Sequence, residues 1–250
     1  MYENAHNLAY DLRLYGIQAS LERRCAESQA ENLHPSDLVR LLLEDERDRR
    51  KQTAAKMLQT KAKFRTSGSL EDWDHTTARG LPKAKLKELA LLNFYHKKQN
   101  LIIVGKTGVG KTHLGIAIGN RLCQETISTA FYSTNLFFEE AAAVKASGQY
   151  LKFIKKLKKV KAIAFDDFAL RKYTHEEANI LLEILEERYQ NGVTIITTQV
   201  SPQGWPGLFE DSVICEAICD RLVNPSQTIE LTGESYRTKL NTIDHVSNGK

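Results

Sequence analysis

No stretch of the 250 residues approaches the roughly eighteen uninterrupted apolar residues of a membrane-spanning helix. The opening segment, MYENAHNLAYDLRLYG, lacks the basic start and apolar middle of a secretory leader, so a cytoplasmic protein with no membrane contact is expected. Cysteine is sparse: Cys25, Cys123, Cys215 and Cys219 are scattered, and only the last two are close together, at helical spacing. Two thiols do not close a zinc site, and buried thiols are the expectation. Charge imbalance is slight as well, 35 Lys and Arg against 31 Asp and Glu, a net +4. That balance is compatible with a nucleic-acid partner without requiring one, so the placement of charge has to decide. There is no internal repeat, and no helix-turn-helix, zinc finger or other base-reading signature; any nucleic-acid contact should therefore tolerate sequence.

What is present divides into two patterns. Residues 1–66 read as helix, with apolar positions at Leu8, Leu12 and Tyr15 and again at Leu38, Leu41 and Leu42, spaced by three and four and punctuated by His34 and Pro35. The later part of this segment turns heavily charged, acidic first and then basic from Arg47 to Arg65, and Ser67 to Ser69 break it. A small all-helical domain over 1–66 and a second domain over 67–250 are expected. In the second domain short apolar runs alternate with amphipathic helical patterns. Strands are predicted at Leu101–Val104, Thr129–Ser133, Ala162–Phe165, Val193–Thr198 and Thr228–Leu231. That rhythm means an α/β fold with a five-stranded parallel sheet covered on both faces. Asn135 is placed to cap a helix that stops near Gly148, and Thr174 with Glu177 forms a capping box for one that stops at Asn191 and Gly192.

Between the first strand and its helix stands IIVGKTGVGKTHLGIAIGN. Gly105, Lys106, Thr107, Gly108, Val109, Gly110, Lys111 and Thr112 satisfy the spacing G, four residues, G, K, T. Glycines let backbone N–H groups converge on phosphate oxygens at a helix N-terminus, Lys111 reaches the outer phosphates, and the Thr112 hydroxyl is suited to magnesium. Such a site needs a carboxylate at the end of a neighbouring strand, and AIAFDD supplies two. Asp166 is the expected partner of the metal through water, and Asp167 the group that orients or deprotonates an attacking water. Asp167 is one methylene shorter than the Glu of many hydrolytic P-loop ATPases, so slow hydrolysis is expected unless a partner tightens the site. At the end of VTIITTQV, Gln199, with Thr198 as second choice, would hold that water against the outer phosphate. Arg221 and Arg237 are candidates for stabilising transition-state charge, although surface arginines are ordinarily just solvated.

Taken together, GKTGVGKTHL, FYSTNLFFEE, AFDDFAL, TIITTQVSPQGW, ICDRLV and IELTGESYR resemble the IstB-like proteins, ATP-binding helpers of insertion-sequence transposases. The N-terminal LRLYGIQASLE and the pair SLEDWD and ARGL resemble that family too. The resemblance spans nearly the whole chain. It implies an AAA+ P-loop ATPase core related to the DnaC-type helicase loaders, without a C-terminal helical lid, using ATP and Mg2+. By motif, Arg221 matches the arginine presented to an adjacent subunit, and Arg237 the sensor arginine near the nucleotide's own phosphates. Expected partners are duplex DNA, a transposase and further copies of the chain in an ATP- and DNA-dependent homo-oligomer. For the DNA, YLKFIKKLKKVKA places Lys152, Lys155, Lys156 and Lys159 on one helical face with Leu151, Ile154 and Leu157 on the other, and Lys145 and Lys158 lie nearby in sequence. Such a stripe contacts phosphates without reading bases; the alternative is a solubilising face. Three rival readings stand beside this one: a replicative helicase loader, a P-loop small-molecule kinase, and an ATP-gated DNA scaffold that barely hydrolyses.

Overall fold

The computed structural model describes residues 2–75 and 80–236. They divide into two compact units, one running through Leu58 together with Gln124–Thr126, the other from Gln59 to Cys123 and from Ile127 onward. The first is helical: α1 (Glu3–Asp11), α2 (Tyr15–Glu31) and the first part of α3 (Pro35–Ala62). Asn32 ends α2 in the left-handed conformation at φ 51°, and Pro35 opens α3, where a missing N–H costs nothing. The predicted apolar stripe is only partly used. Leu38, Leu41 and Leu42 are half-buried, whereas Leu8, Leu12 and Tyr15 are 59%, 59% and 41% exposed, and Ala9 is the residue that α1 buries.

Polar contacts join α2 to α3. A Cβ on Gly16 would lie 2.5 Å from the Glu46 Cα, so the two backbones touch there and only glycine fits. The buried Glu46 carboxylate accepts from Gly16 N at 2.6 Å and Ile17 N at 3.3 Å, supplying acceptors to the otherwise orphaned first turn of α2. Burial works to raise the Glu46 carboxyl, and Arg50 with those two amides outweighs it, leaving the group below the usual range. Beside it Arg24 grips Asp45 through Nε and Nη2, both at 2.8 Å.

In the second unit α4 (Lys83–Ala90) and α5 (Asn93–His96) precede β1 (Asn100–Gly105), α6 (Lys111–Gln124) and β2 (Thr129–Ser133). Then come α7 (Thr134–Ala146), α8 (Tyr150–Lys159), β3 (Ala162–Phe168), α9 (His175–Arg188), β4 (Val193–Thr198), a 3-10 turn (Pro202–Leu208), α10 (Ser212–Leu222) and β5 (Ser226–Leu231). Among the described residues the five strands form one sheet in the order β2-β3-β4-β1-β5, parallel in every pair. Period-two alternation sorts its side chains into two cores. Leu101, Ile103, Ala162, Ala164, Val193 and Ile195 pack with Leu86, Phe94, Leu114 and Ile118 on one face. Ile102, Ile163, Phe165 and Ile196 meet Phe137, Leu157, Leu181 and Ile218 on the other. The expected α/β sandwich with both faces covered is the one observed.

Two helix ends differ from expectation. Asn135 does not cap α7: β2 runs straight into the helix, which starts at Thr134 with Ser133 in the cap position, and Asn135 Oδ1 instead accepts from Arg171 Nε at 3.0 Å. Thr134 is buried at that junction and donates to the Asp166 carbonyl at 2.8 Å. The Thr174–Glu177 capping box is present, but α9 closes at Arg188, and Gln190 rather than Asn191 or Gly192 turns left-handed, at φ 61°. Gly148, at φ 70°, follows α7 as expected. The Cys215 and Cys219 sulfurs lie 3.9 Å apart, and burial pushes both thiols up, that of Cys219 to about 12, so neither is a thiolate near neutrality. No helix among the described residues is long and apolar enough to cross a membrane.

Candidate functional site

The glycine-rich loop leaves β1 at Gly105 and enters α6 at Lys111, at the carboxyl ends of the strands. Gly108 has φ 83°, and a Cβ there would lie 2.1 Å from the Ser235 hydroxyl; glycine is required twice over. Tyr236 N donates to the Gly108 carbonyl at 2.9 Å and braces the loop from outside. Lys111 is 6% exposed and its ammonium donates to the Lys106 carbonyl at 2.8 Å, so it is held inside the loop it must serve.

β3 is the neighbour that supplies the acids. Asp166 is 1% exposed and accepts from Thr112 Oγ1 at 2.9 Å and from Thr197 Oγ1 at 2.5 Å. Burial pushes its carboxyl up and the nearby Asp167 adds to this, against the two hydroxyls. A buried carboxylate joined to a helix-start hydroxyl is a hard, all-oxygen donor pair, and it fits a magnesium ion that keeps several of its waters. Immediately after it the strand bulges between Phe165 and Phe168. Asp167 takes φ 56° and Ala169 φ 61°, a left-handed backbone that non-glycine residues hold only when their surroundings impose it. The Asp167 amide donates to Thr197 Oγ1 at 3.1 Å, and Asp167 lines the adjoining cavity.

That cavity, about 490 Å3, is lined by Thr107, Gly110, Lys111, Thr112, Asp167 and Gln199 among others. Gln199 leaves β4, which lies between β3 and β1, and its Oε1 accepts from Thr107 Oγ1 at 2.8 Å. Thr198, the second choice at this strand end, is turned elsewhere: it is fully buried, and its hydroxyl donates to the Val200 carbonyl at 3.0 Å.

Arg221 is not brought to this loop. Asn100, at the opposite end of β1, donates to the Arg221 carbonyl at 2.9 Å, and five residue steps of about 3.3 Å separate it from Gly105. The guanidinium lies on Glu186 at 2.9 Å. Arg237 lies outside the described residues. On α8 the lysine face is as expected: Lys152, Lys155, Lys156 and Lys159 are exposed, with no carboxylate partner among the described residues, above buried Phe153, Ile154 and Leu157. Leu151 does not belong to the apolar side; it is 72% exposed because Phe153 takes its place. Lys145 is tied to Glu176 at 2.6 Å and Lys158 to Glu187, which leaves four lysines of the six without such a partner.

Sequence reasoning missed Thr197, Thr134 and the acids Asp72 and Asp74, which line the same cavity from the segment before α4. Strand register is what singles out Thr197, since Phe165 pairs with Ile196 and the residues that follow them are Asp166 and Thr197. SLEDWD was visible as a motif but gave no sign of where it lands.

A family model described as IstB-like ATP binding protein matches residues 7–243. An insertion-sequence protein of Mycobacterium tuberculosis named for ATP binding is 32% identical over 93% of both chains. A similarly named one of Pseudomonas aeruginosa is 26% identical over 91% of this chain and 86% of its own. Among solved structures, DnaI matches with TM-score 0.56 at 26% identity, over 67% of this chain and 89% of that one. The DnaC helicase loader matches with TM-score 0.55 at 19% identity, over 66% and 97%. AMPPCP-bound DnaA from Aquifex aeolicus matches with TM-score 0.57 at 18% identity, over 73% and 56%. A glycine loop and buried carboxylate on a five-stranded parallel sheet, matched by one family model from residue 7 to 243, make this chain a member of the IstB-like ATP binding protein family, built on the AAA+ P-loop fold.

Proposed function

We propose that the chain is an ATP-dependent helper of a transposase, which assembles with copies of itself on duplex DNA and hydrolyses ATP to release or remodel that assembly. The observation that carries this reading is the coupled trio Thr112, Asp166 and Thr197 beside a preformed phosphate loop. Gly105 to Thr112 receive the phosphates, and Lys111 neutralises the outer ones. Thr112 and Asp166 would hold Mg2+, which would supply positive charge against the phosphate oxygens. Asp167 orients or deprotonates the attacking water, and Gln199 holds that water against the outer phosphate. Arg221, at the far end of the sheet from its own loop, serves the nucleotide of an adjacent copy. Arg237 senses the nucleotide of its own subunit. Lys152, Lys155, Lys156 and Lys159 grip duplex phosphates without reading bases, and Lys145 and Lys158 border them. The helical region 1–66 is the partner-facing domain, and 67–250 the ATPase.

Measured ATP turnover with and without duplex DNA tests this reading. The native chain is expected to turn over ATP faster with DNA, and Lys111→Ala to abolish turnover in both conditions; turnover undiminished in Lys111→Ala removes the assigned site. One second reading, a replicative helicase loader, is supported by the fold shared with the DnaC helicase loader. Retention of a hexameric helicase rather than a transposase in a pull-down would select it.

A further inference from the structure

At the amino-terminal end of the sheet, remote from the phosphate loop, a recess of about 90 Å3 is lined by Lys98, Asn100, Arg188, Thr194 and Arg221 among others. Three of these are cations, and no carboxylate is among the lining residues. Arg188 is 4% exposed and donates to the carbonyls of Leu157 at 2.9 Å, Val160 at 2.5 Å and Val193 at 3.1 Å. It has no carboxylate partner among the described residues, and its Nε is buried without an acceptor. Burial pushes the guanidinium down to about 10, so it stays charged near neutrality. Carbonyl dipoles take up its Nη1 and Nη2 donors but leave the net charge uncompensated, and the positive potential falls on the recess beside it.

Asn100 fixes the other cation. Its amide donates to the Arg221 carbonyl at 2.9 Å and the Leu222 carbonyl at 3.1 Å, while its Oδ1 accepts from Thr194 N at 2.8 Å. One buried side chain therefore pins the end of α10 to β1 and β4 and sets where the Arg221 side chain emerges. Lys98, exposed and held at φ 57°, has no carboxylate partner among the described residues. Arg221 alone has a counter-ion, Glu186 at 2.9 Å. That carboxylate is 51% exposed, and an exposed ion pair of this kind exchanges readily for a stronger anion.

We propose that this recess is an anion site for the terminal phosphate of a nucleotide bound by a second copy of the chain, with Lys98 as a second contact beside Arg221 and Glu186 as the counter-ion displaced on arrival. The proposal rests on the reading that Arg221 serves an adjacent copy. It adds a catalytic residue, Lys98, and assigns Asn100 and Glu186 to positioning. A phosphate of the DNA backbone has the same chemistry, so the test separates the two sources.

The test mixes two variants, each inactive alone: Lys111→Ala supplies the recess, and Arg221→Ala supplies the nucleotide site. The mixture is expected to regain ATP turnover. Adding Lys98→Gln to the Lys111→Ala subunit should lower the regained kcat about tenfold with KM held. Lys98→Arg in the same place should restore it, and Glu186→Gln there should raise turnover at low protein concentration. If Lys98→Gln lends as much turnover as its parent, the recess is overturned while the role of Arg221 stands. If Lys98→Gln instead weakens duplex DNA binding measured with ADP and leaves the lent turnover intact, the recess takes DNA and the proposal falls. If the mixture regains nothing, the reading of Arg221 fails and takes the recess with it.

Discussion

Thr197 is the residue on which the two acids depend. Its hydroxyl donates to Asp166 at 2.5 Å and accepts the Asp167 amide at 3.1 Å, so one oxygen holds a buried carboxylate and a left-handed backbone together. Thr197→Val keeps the shape and removes both bonds. We expect it to fold normally and to lower the kcat for ATP by about ten- to a hundredfold, as removal of a supporting hydrogen bond to a metal-site carboxylate does elsewhere, with steady-state kinetics as the check. The phosphate loop was legible in the sequence because its parts are neighbours in the chain, and backbone geometry alone makes Gly108 necessary. Thr197 was not, because VTIITT reads as an undifferentiated buried strand until register and bulge say which threonine meets Asp166. Thr198, the second choice after Gln199 for holding the water, is turned to the Val200 carbonyl instead, because alternate side chains of a strand face opposite ways. Asp72 and Asp74 were out of reach as well, since only tertiary folding brings them to a loop more than thirty residues later.

At the scale of elements, α8 and the α2–α3 pair make separable predictions. Periodicity read α8 correctly apart from Leu151, and it could not foresee that Glu176 and Glu187 would engage Lys145 and Lys158, because those acids come from another helix. The four lysines without carboxylate partners carry the DNA proposal. Replacing Lys152, Lys155, Lys156 and Lys159 by Ala should reduce the slope of log K against log salt by about 0.9 for each phosphate no longer neutralised, read from duplex titrations; an unchanged slope removes the helix from the interface. Between α2 and α3, Glu46→Ala takes the acceptors away from the Gly16 and Ile17 amides and should cost about 1–3 kcal/mol in denaturant unfolding of the helical unit. The neighbouring Asp45 gives a pH dependence. Arg24 holds its carboxyl at about 2, against an ordinary 3.8. A depressed folded value means that the unfolded chain binds more protons in that window, so the contribution is complete above about pH 4 and fades as pH falls toward 2. Hydrogen exchange in α2 and α3 should quicken across that interval, and Asp45→Asn should flatten the response.

On the scale of the whole molecule, the nucleotide loop and Arg221 stand at opposite ends of one sheet. A single copy offers its own ATP no guanidinium from α10, and in a head-to-tail stack each copy would offer one to the nucleotide of its neighbour, so that two copies complete one site. On the proposed function, assembly would be coupled to ATP by mass action: whatever binds the stacked copies and not the lone subunit would drive association, and duplex DNA held by several lysine helices would add to it. The alternation of strands and helices announced the sheet, but neither the strand order nor the distance between these two functions is written in any motif; both follow from how the strands line up. The most direct measurement is a structure of the chain bound to duplex DNA and a nonhydrolysable ATP analogue. Adjacent copies are expected, with Arg221 released from Glu186 and within hydrogen-bonding reach of the neighbour's terminal phosphate. Lone copies, or an assembly in which Arg221 still lies on Glu186 with the nucleotide elsewhere, would contradict it.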